Sequence, residues 1–382
     1  MANDKNFKVK NGLLAGRYLQ SNGVETAGSE GYSVASASYD SVSFDVNSQL
    51  GDIYGGAFKP DGTKFYAVNT STPFMVAYDL STAWDISTAS YNTETFNPTS
   101  QDTIPYGVDF KTDGTKMYVV FNGNDTVYQY SLSTAWDIST ASYDTGKTVS
   151  VTSQTTFPVG IKFKSDGLKM YVNTLGVIYQ YALSTAWDVS TASYESKSFN
   201  HTSESNGNYQ LDFNSDGTKF WVANGSSDAI YQYSLSTAYD ISTASYDNVS
   251  FSTINEGTNV RCVIFKPDGL KMYTIDGASD QVLQYSTVAY TQSLDLSTGN
   301  TFSFTPSGAT TVSFTNAPAS GLAVGFSVEI VNTGGHTITW PSSIKWDSGT
   351  APTATASKEL YTFITTDGGT TYYGKKAAGD IA

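Results

Sequence analysis

Residues 80–91 read LSTAWDISTASY, and the same twelve letters return at 132–143, as LSTAWDVSTASY at 183–194 and as LSTAYDISTASY at 235–246. The aromatic residue at the centre (Trp84, Trp136, Trp187, Tyr239) therefore recurs at spacings of 52, 51 and 52 residues. A second marker keeps the same time: Asp-Gly pairs stand at 61–62, 113–114, 166–167, 216–217 and 268–269. The tail of the first motif also stands alone as Ala37-Ser38-Tyr39-Asp40, ahead of the first full unit. Self-similarity at a fixed period of this length marks a repeat architecture, here of five units.

Each unit holds four strand-like runs. In the third, Gly160–Phe163 and Lys169–Val172 flank a Ser165-Asp166-Gly167 turn, Ile178–Tyr181 forms a third run, and Lys197–Phe199 belongs to a fourth. Asp-Gly between alternating apolar runs is a strong hairpin signal. Four antiparallel strands per period of 40 to 55 residues describe a propeller blade, whereas a β-solenoid coil is shorter. The repeat is also out of phase at its ends. A lone fourth-type strand (Ser41–Val46) opens it, and the fifth unit stops after its third strand (Gln281–Tyr285). Pairing those two would complete the fifth blade and join the ends of the ring, a device that hides sheet edges. The sequence thus predicts an all-β chain with a five-bladed β-propeller at 31–288, closed by an N-terminal strand.

Composition narrows function. Of 382 residues only 15% are charged, with 35 acids against 21 bases and a net charge of −14. The propeller carries 26 of the acids and 13 of the bases, and only Arg17 and Arg261 are arginine. That balance opposes nucleic acid and anionic membrane as partners. One cysteine, Cys262, and two histidines, His201 and His336, leave no disulfide framework and no Cys/His zinc site. No metal and no cofactor is expected. The opening MANDKNFKVKNG has no apolar core and is not read as a Sec signal peptide. The longest apolar stretch, Gly321–Val331, is about half a membrane span.

In a propeller the Asp-Gly turns and the STAWDIST loops share one face. Residues repeated in every blade serve what every blade needs, so the tryptophans are read as inter-blade wedges rather than ligand platforms. The opposite face carries dissimilar loops, including NSQLGDIYGG (47–56), NPTSQDTIPYG (97–107), HTSESNGNYQ (201–210) and STINEGTNVR (252–261). Candidate ligand-binding residues are drawn from them: Asp52, Asp102, Glu204 and Glu256, with Tyr54, Tyr106, Tyr209 and Arg261. Carboxylates beside tyrosines suit sugar hydroxyls and the CH-rich faces of sugar rings. Solvated polar loops would look the same. One layer in, equivalent points of the innermost strands hold Ala57, Asp109, Lys162, Asp212 and Ile264. A structural ion pair lining the channel is the simpler reading of the three charged ones, because buried charges need partners. A catalytic carboxylate pair is the alternative.

Residues 1–30 have no repeat, and Asn6–Leu13 reads as a strand and turn that cannot fold alone. From 289 to 382 the pattern alternates in a β manner, as in Thr301–Phe304, Thr311–Phe314 and Phe326–Ile330, which predicts an antiparallel β-sandwich or jelly-roll-like domain. His336 is expected on its surface.

The stretches LDLSTGNTFSFTPSGATTVSFTNAP (294–318), GFSVEIVNTGGHTITWPSSIKWDSGTAP (325–352) and TFITTDGGTTYYG (362–374) resemble a module near the C-termini of phage tail-fibre and virion proteins, marine phages in particular. NFKVKNGLLAG (6–16) is similar to short repeats that begin such proteins, and the LSTAWDISTASYD units resemble propeller repeats of marine viral and bacterial sequences. The resemblance implies a non-enzymatic virion component displayed as a fibre, spike or capsid appendage. It implies a homotrimer, other virion proteins bound through residues 1–30, and a host cell-surface glycan as the propeller's ligand. Two alternatives stay open: a purely architectural decoration or connector, and a polysaccharide depolymerase or glycosidase.

Overall fold

A computed structural model describes residues 25–27 and 32–381, apart from 72–73, 99, 205–206, 288–289, 307–309, 333–335 and 356. The chain divides into two compact units, residues 31–287 and residues 1–30 with 288–382.

The first unit is a five-bladed propeller. Blade 1 is built from Ile53–Phe58, Lys64–Asn69, Met75–Leu80 and Ala89–Phe96. Blade 2 comprises Pro105–Phe110, Lys116–Phe121, Thr126–Leu132 and Ala141–Ser150. Gly160–Phe163, Lys169–Asn173, Val177–Leu183 and Ala192–Asn200 form blade 3. Asn208–Phe213, Lys219–Asn224, Ala229–Leu235 and Ala244–Ser252 form blade 4. Blade 5 takes Val260–Phe265, Lys271–Asp276 and Gln281–Ser286 from one end of the unit and Ser38–Asp45 from the other, with Ser38 opposite Ser286 and Asp45 opposite Gln281. The closing strand is the one the repeat phase indicates.

The repeated letters explain why blades form and why they stack. In each STAWDIST loop the aspartate caps a single 3-10 turn: Asp85, Asp137, Asp188 and Asp240 accept the backbone N–H of the serine two residues on. The aromatic before it has a positive φ, from 59° to 68°, and its N–H donates to the carbonyl of the Asp-Gly glycine in the same blade, at 2.8–3.0 Å. The ring then lies flat on that glycine, where an added Cβ at Gly62, Gly114, Gly167 or Gly217 would meet ring atoms at 2.2–2.3 Å or just beyond. The glycine is needed twice over, for its φ of 70–75° and for the space.

The same aromatics join blades. Tyr66 Oη donates to the Trp136 carbonyl at 2.6 Å, Tyr118 Oη to Trp187 at 2.7 Å and Tyr171 Oη to Tyr239 at 2.6 Å, and Tyr273 Oη reaches Trp84. Each bond crosses from one blade to the next, in keeping with the wedge reading. Blade 4 has Trp221 where the others have this tyrosine, and its ring stacks on Tyr32 at 5.6 Å. Tyr32 is the fifth member of the wedge set. It has φ 71°, its N–H donates to Gly269 O at 2.8 Å, and its ring covers Gly269.

The second unit is a sandwich of two sheets. One orders its strands Glu25–Ala27, Tyr290–Asp295, Thr310–Thr315, Ile338–Thr339, and the other Thr301–Phe304, Val324–Val331, Lys358–Thr365, Tyr372–Ile381, Ile344–Trp346. Leu294, Val312, Phe326, Val328, Tyr361 and Phe363 fill the space between them. The antiparallel expectation holds for Val324–Val331, Lys358–Thr365 and Tyr372–Ile381, which are antiparallel neighbours in that order, and is corrected for the rest. Tyr290–Asp295 runs parallel to Thr310–Thr315, as do Thr301–Phe304 to Val324–Val331 and Ile344–Trp346 to Tyr372–Gly374. The chain alternates between the sheets from 290 to 346, so successive strands of one sheet are joined by a strand of the other. Such crossovers return the chain in the same direction. His336 is also corrected: it is 9% exposed, and its N–H donates to Asn332 Oδ1 at 2.8 Å. Of the segment 1–30 only Glu25–Ala27 is described, paired with Tyr290–Gln292; the expected strand and turn at 6–13 lies outside the described residues.

Candidate functional site

The dissimilar loops bring together four of the eight candidates. Asp52, at the positive φ of 63°, receives Arg261 Nη1 at 2.6 Å and Tyr54 Oη at 2.9 Å. The Arg261 guanidinium lies 4.1 Å from the Tyr54 ring centre and also donates to Ile53 O at 3.0 Å. Tyr106 meets Tyr54 edge-on at 4.5 Å. Burial, and then the bond to Asp52, raises the Tyr54 hydroxyl, so it stays a donor. Arg261 comes from blade 5 and Tyr54 from blade 1, so the cluster sits at the joint where the ring closes.

Asp102, Glu204 and Glu256 lie in three different loops, ahead of blades 2, 4 and 5. Asp102 turns back on its own loop, accepting from the N–H of Thr103 at 2.5 Å and of Ile104 at 3.0 Å. Glu204 accepts from Ser203 Oγ at 2.7 Å. Burial raises the Glu256 carboxyl. Tyr209 lies in the strand Asn208–Phe213, but its side chain is outside the described residues.

A cavity of about 410 Å³ opens at the propeller axis, on the Asp-Gly and Trp face. Its wall is contributed by every blade. One phenylalanine comes from each innermost strand (Phe58, Phe110, Phe163, Phe213, Phe265) and one wedge aromatic from each loop (Trp84, Trp136, Trp187, Tyr239, Tyr32). Its floor differs in chemistry from blade to blade: Ala57, Asp109, Lys162, Asp212 and Ile264. Beneath them the bore is pinched by missing side chains. A Cβ on Gly107 would stand 3.0 Å from Gly160 Cα, and one on Gly55 only 2.5 Å from Tyr106 O. Gln210 crosses the bore from blade 4 to blade 1. Its Nε2 donates to Gly56 O at 3.1 Å, and its Oε1 accepts from Gly56 N–H at 3.3 Å and from Cys262 Sγ at 2.8 Å. The cavity is therefore a cup rather than a tunnel.

The floor charges are tied down. Lys162 Nζ lies 2.8 Å from Asp212 Oδ1. Asp212 also accepts the N–H of Phe213 at 3.0 Å and, across the blade boundary, of Phe265 at 2.8 Å. Asp109 repeats the arrangement with Phe110 at 2.9 Å and Phe163 at 2.7 Å. Burial pushes the Asp109 carboxyl up, against the opposing pull of Lys162 and the two N–H groups. Burial works the other way on Lys162, but Asp212 and Asp109 outweigh it and keep the ammonium charged. Among the described residues no three His, Cys, Asp or Glu side chains gather as a metal site would require.

Sequence reasoning picks out the charged row and draws its candidate ligand-binding residues from the other face. It treated the repeated aromatics only as wedges. They are wedges, yet five copies of one wedge around an axis also make a wall. The available signal for Tyr32 was GYSVASASYD (31–40) laid on AWDISTASYD, which puts Tyr32 over the tryptophan.

No family model matches the chain and no curated protein is similar to it. Several solved structures are similar to part of the chain. A putative 6-phosphogluconolactonase from Bacteroides uniformis is 15% identical over 59% of this chain and 64% of its own, with a TM-score of 0.39. The periplasmic gluconolactonase of Pseudomonas aeruginosa is 15% identical over 62% and 67%, with a TM-score of 0.37. The β-propeller domain of Cps50 (Swd1) from Myceliophteria thermophila is 9% identical over 61% and 69%, also at 0.37. This chain thus spans less than two thirds of the Bacteroides protein it matches. Likeness at this level carries nothing about activity.

Proposed function

We propose that this chain is a non-enzymatic binding protein of a phage particle, whose propeller is presented to host-surface glycan. One observation carries the non-enzymatic part. The two carboxylates of the axial cup are each held by two backbone N–H groups, and Asp212 by Lys162 as well. A glycosidase needs one carboxyl free to give a proton and a second free to attack or to activate water. The virion setting rests on the resemblance of both ends of the chain to fibre and virion proteins. With it go a homotrimer and attachment to other virion proteins through residues 1–30.

A purely architectural ring is favoured by a different observation: Asp52, Tyr54 and Arg261 on the dissimilar face spend their polar atoms on one another. The two readings separate in one assay. The purified full chain is applied to a glycan array and to host cells, and the supernatant is analysed for released oligosaccharide. Saturable binding without release is the expected result. Release of oligosaccharide would overturn the non-enzymatic reading, and incorporation into particles without any glycan or cell binding would leave architecture.

A further inference from the structure

We propose that the axial cup on the Asp-Gly face is a binding site for a single neutral sugar residue, with Lys162 as its hydrogen-bond donor. The inference rests on the glycan reading above and assigns it a place, on the face opposite the dissimilar loops.

The argument starts from what repeats and what does not. The blades share the phenylalanine and the wedge aromatic of the wall but differ in charge at the innermost-strand position that forms the floor. The difference is ordered around the ring. Blades 5 and 1 contribute Ile264 and Ala57, and blades 2, 3 and 4 contribute Asp109, Lys162 and Asp212. The floor therefore has an apolar half and a polar half beneath one aromatic wall. A pyranose has the matching division, CH-rich faces that pack on apolar and aromatic surface and an edge of hydroxyls. At about 410 Å³ the cup is within the roughly 300–1,000 Å³ of small-molecule sites.

Charge then selects among ligands. Lys162 keeps about a quarter of its side chain open to the cup, and its ammonium has three donors of which one goes to Asp212. An organic cation would meet that ammonium, and an anion would meet Asp109 and Asp212 beside it. A neutral molecule with hydroxyl oxygens can accept from Nζ and donate to the second lone pairs of the carboxylates, with no net charge to desolvate. Gln210 closes the base, so the guest is a terminal residue rather than a threaded chain.

The test uses the full chain, with tryptophan fluorescence read while methyl glycosides of glucose, galactose and mannose, N-acetylglucosamine, and tetramethylammonium chloride are titrated separately. At least one neutral sugar is expected to give a saturable change, since three of the six tryptophans line the cup. Ala57→Leu, which fills the apolar half, is expected to weaken that affinity at least tenfold. Ser100→Ala on the other face is expected to leave it unchanged. Lys162→Met should also abolish binding, but it strands two carboxylates and can fail to fold, so Ala57→Leu is the deciding variant. Saturation by tetramethylammonium alone, no response to any neutral sugar, or full affinity in Ala57→Leu would each overturn the assignment. If Ala57→Leu lost sugar binding in solution but still bound host cells, the cup would stand and the glycan reading would have to move. Undiminished sugar and cell binding together would leave the glycan reading and remove the cup.

Discussion

The two faces of the propeller use polar residues in opposite ways. On the Asp-Gly face the same contacts recur around the ring: glycines lie under aromatic rings five times, and Asp-capped 3-10 turns and tyrosine hydroxyls reaching into the next blade are each made four times. On the other face every loop is different and makes bonds of its own kind: Asp102 turns back on its own loop, whereas Asp52 takes Arg261 from the neighbouring blade. One might expect specificity where the sequence varies. Here the repeated face surrounds the axial cavity, because elements related by rotation about an axis all aim the same side chain at it. Varied loops give a cluster at one blade boundary, whereas repetition gives a wall to which every blade contributes, over a floor that changes from blade to blade.

That contrast can be broken most directly at glycine. Gly114 and Gly146 both have positive φ, 74° and 78°, but a Cβ on Gly114 would strike Trp136 while one on Gly146 meets nothing within 4 Å. Gly114→Ala is expected to cost about 3–5 kcal/mol, lowering the melting midpoint by roughly 6–20 °C. Gly146→Ala should cost only about 1 kcal/mol, the strain of a left-handed alanine. Equal midpoints in calorimetry would mean that the aromatic–glycine contact is not what holds the repeated face.

On the other face the largest expected effect is at the closure joint. Arg261→Met removes a buried guanidinium from Asp52, the Ile53 carbonyl and the Tyr54 ring. Asp52 is itself more than half exposed, so the ion pair is screened and the loss should be about 1–2 kcal/mol. A urea midpoint unchanged from the parent would show that the joint is held by strand pairing alone.

The smallest effects separate the faces by sign. Against the upward push of burial, Lys59 and Thr63 hold the Asp61 carboxyl down to about 2, and Lys111 and Thr115 do the same for Asp113. These acids bind protons less readily folded than unfolded. Their stabilisation is fully present above about pH 4 and is lost as pH falls towards 2. Asp125, on the variable face, is the reverse case. Burial raises its carboxyl, Asp102 adds to the rise, and its buried Oδ1 has no hydrogen-bond partner among the described residues. Its penalty grows as pH rises above the unfolded value, so Asp125→Asn is expected to raise the midpoint at pH 7 and to gain nothing below pH 4. Asn also tolerates the φ of 50° found there. Asp61→Asn should lower the midpoint at pH 7. If both variants shift in the same direction, local bonding does not set the titration of these faces.

Much of this molecule was legible in its letters. The period, the Asp-Gly turns and the orphan Ala37–Asp40 specify five blades and their closure, because turn chemistry and capping are local and the repeat states them five times. The C-terminal unit was less readable. Alternation in Thr311–Phe314 or Phe326–Ile330 reports which side chains face a core, and it is the same for parallel and antiparallel neighbours. Direction depends on crossovers between sheets, which no local pattern records. The cup was half visible: the row Ala57, Asp109, Lys162, Asp212, Ile264 could be aligned by hand. That Gln210 and the close glycines Gly55, Gly107 and Gly160 shut the bore beneath it depends on the blades' radial approach, a property of the closed ring.

Closure also sets an order of events during synthesis. Strand Ser38–Asp45 is made first among the described strands of the propeller, but its partner Gln281–Ser286 emerges last. At the usual ~5–20 residues per second, an elongating chain carries that strand unpaired for about 12–50 s. Blades 1 to 4 have all four of their strands well before the fifth does, so the nascent protein passes through a long-lived open form with one sheet edge exposed at each end. In that interval a second nascent chain could offer its own Gln281–Ser286, and exchange of the first strand between neighbours would be the characteristic misassembly of this fold.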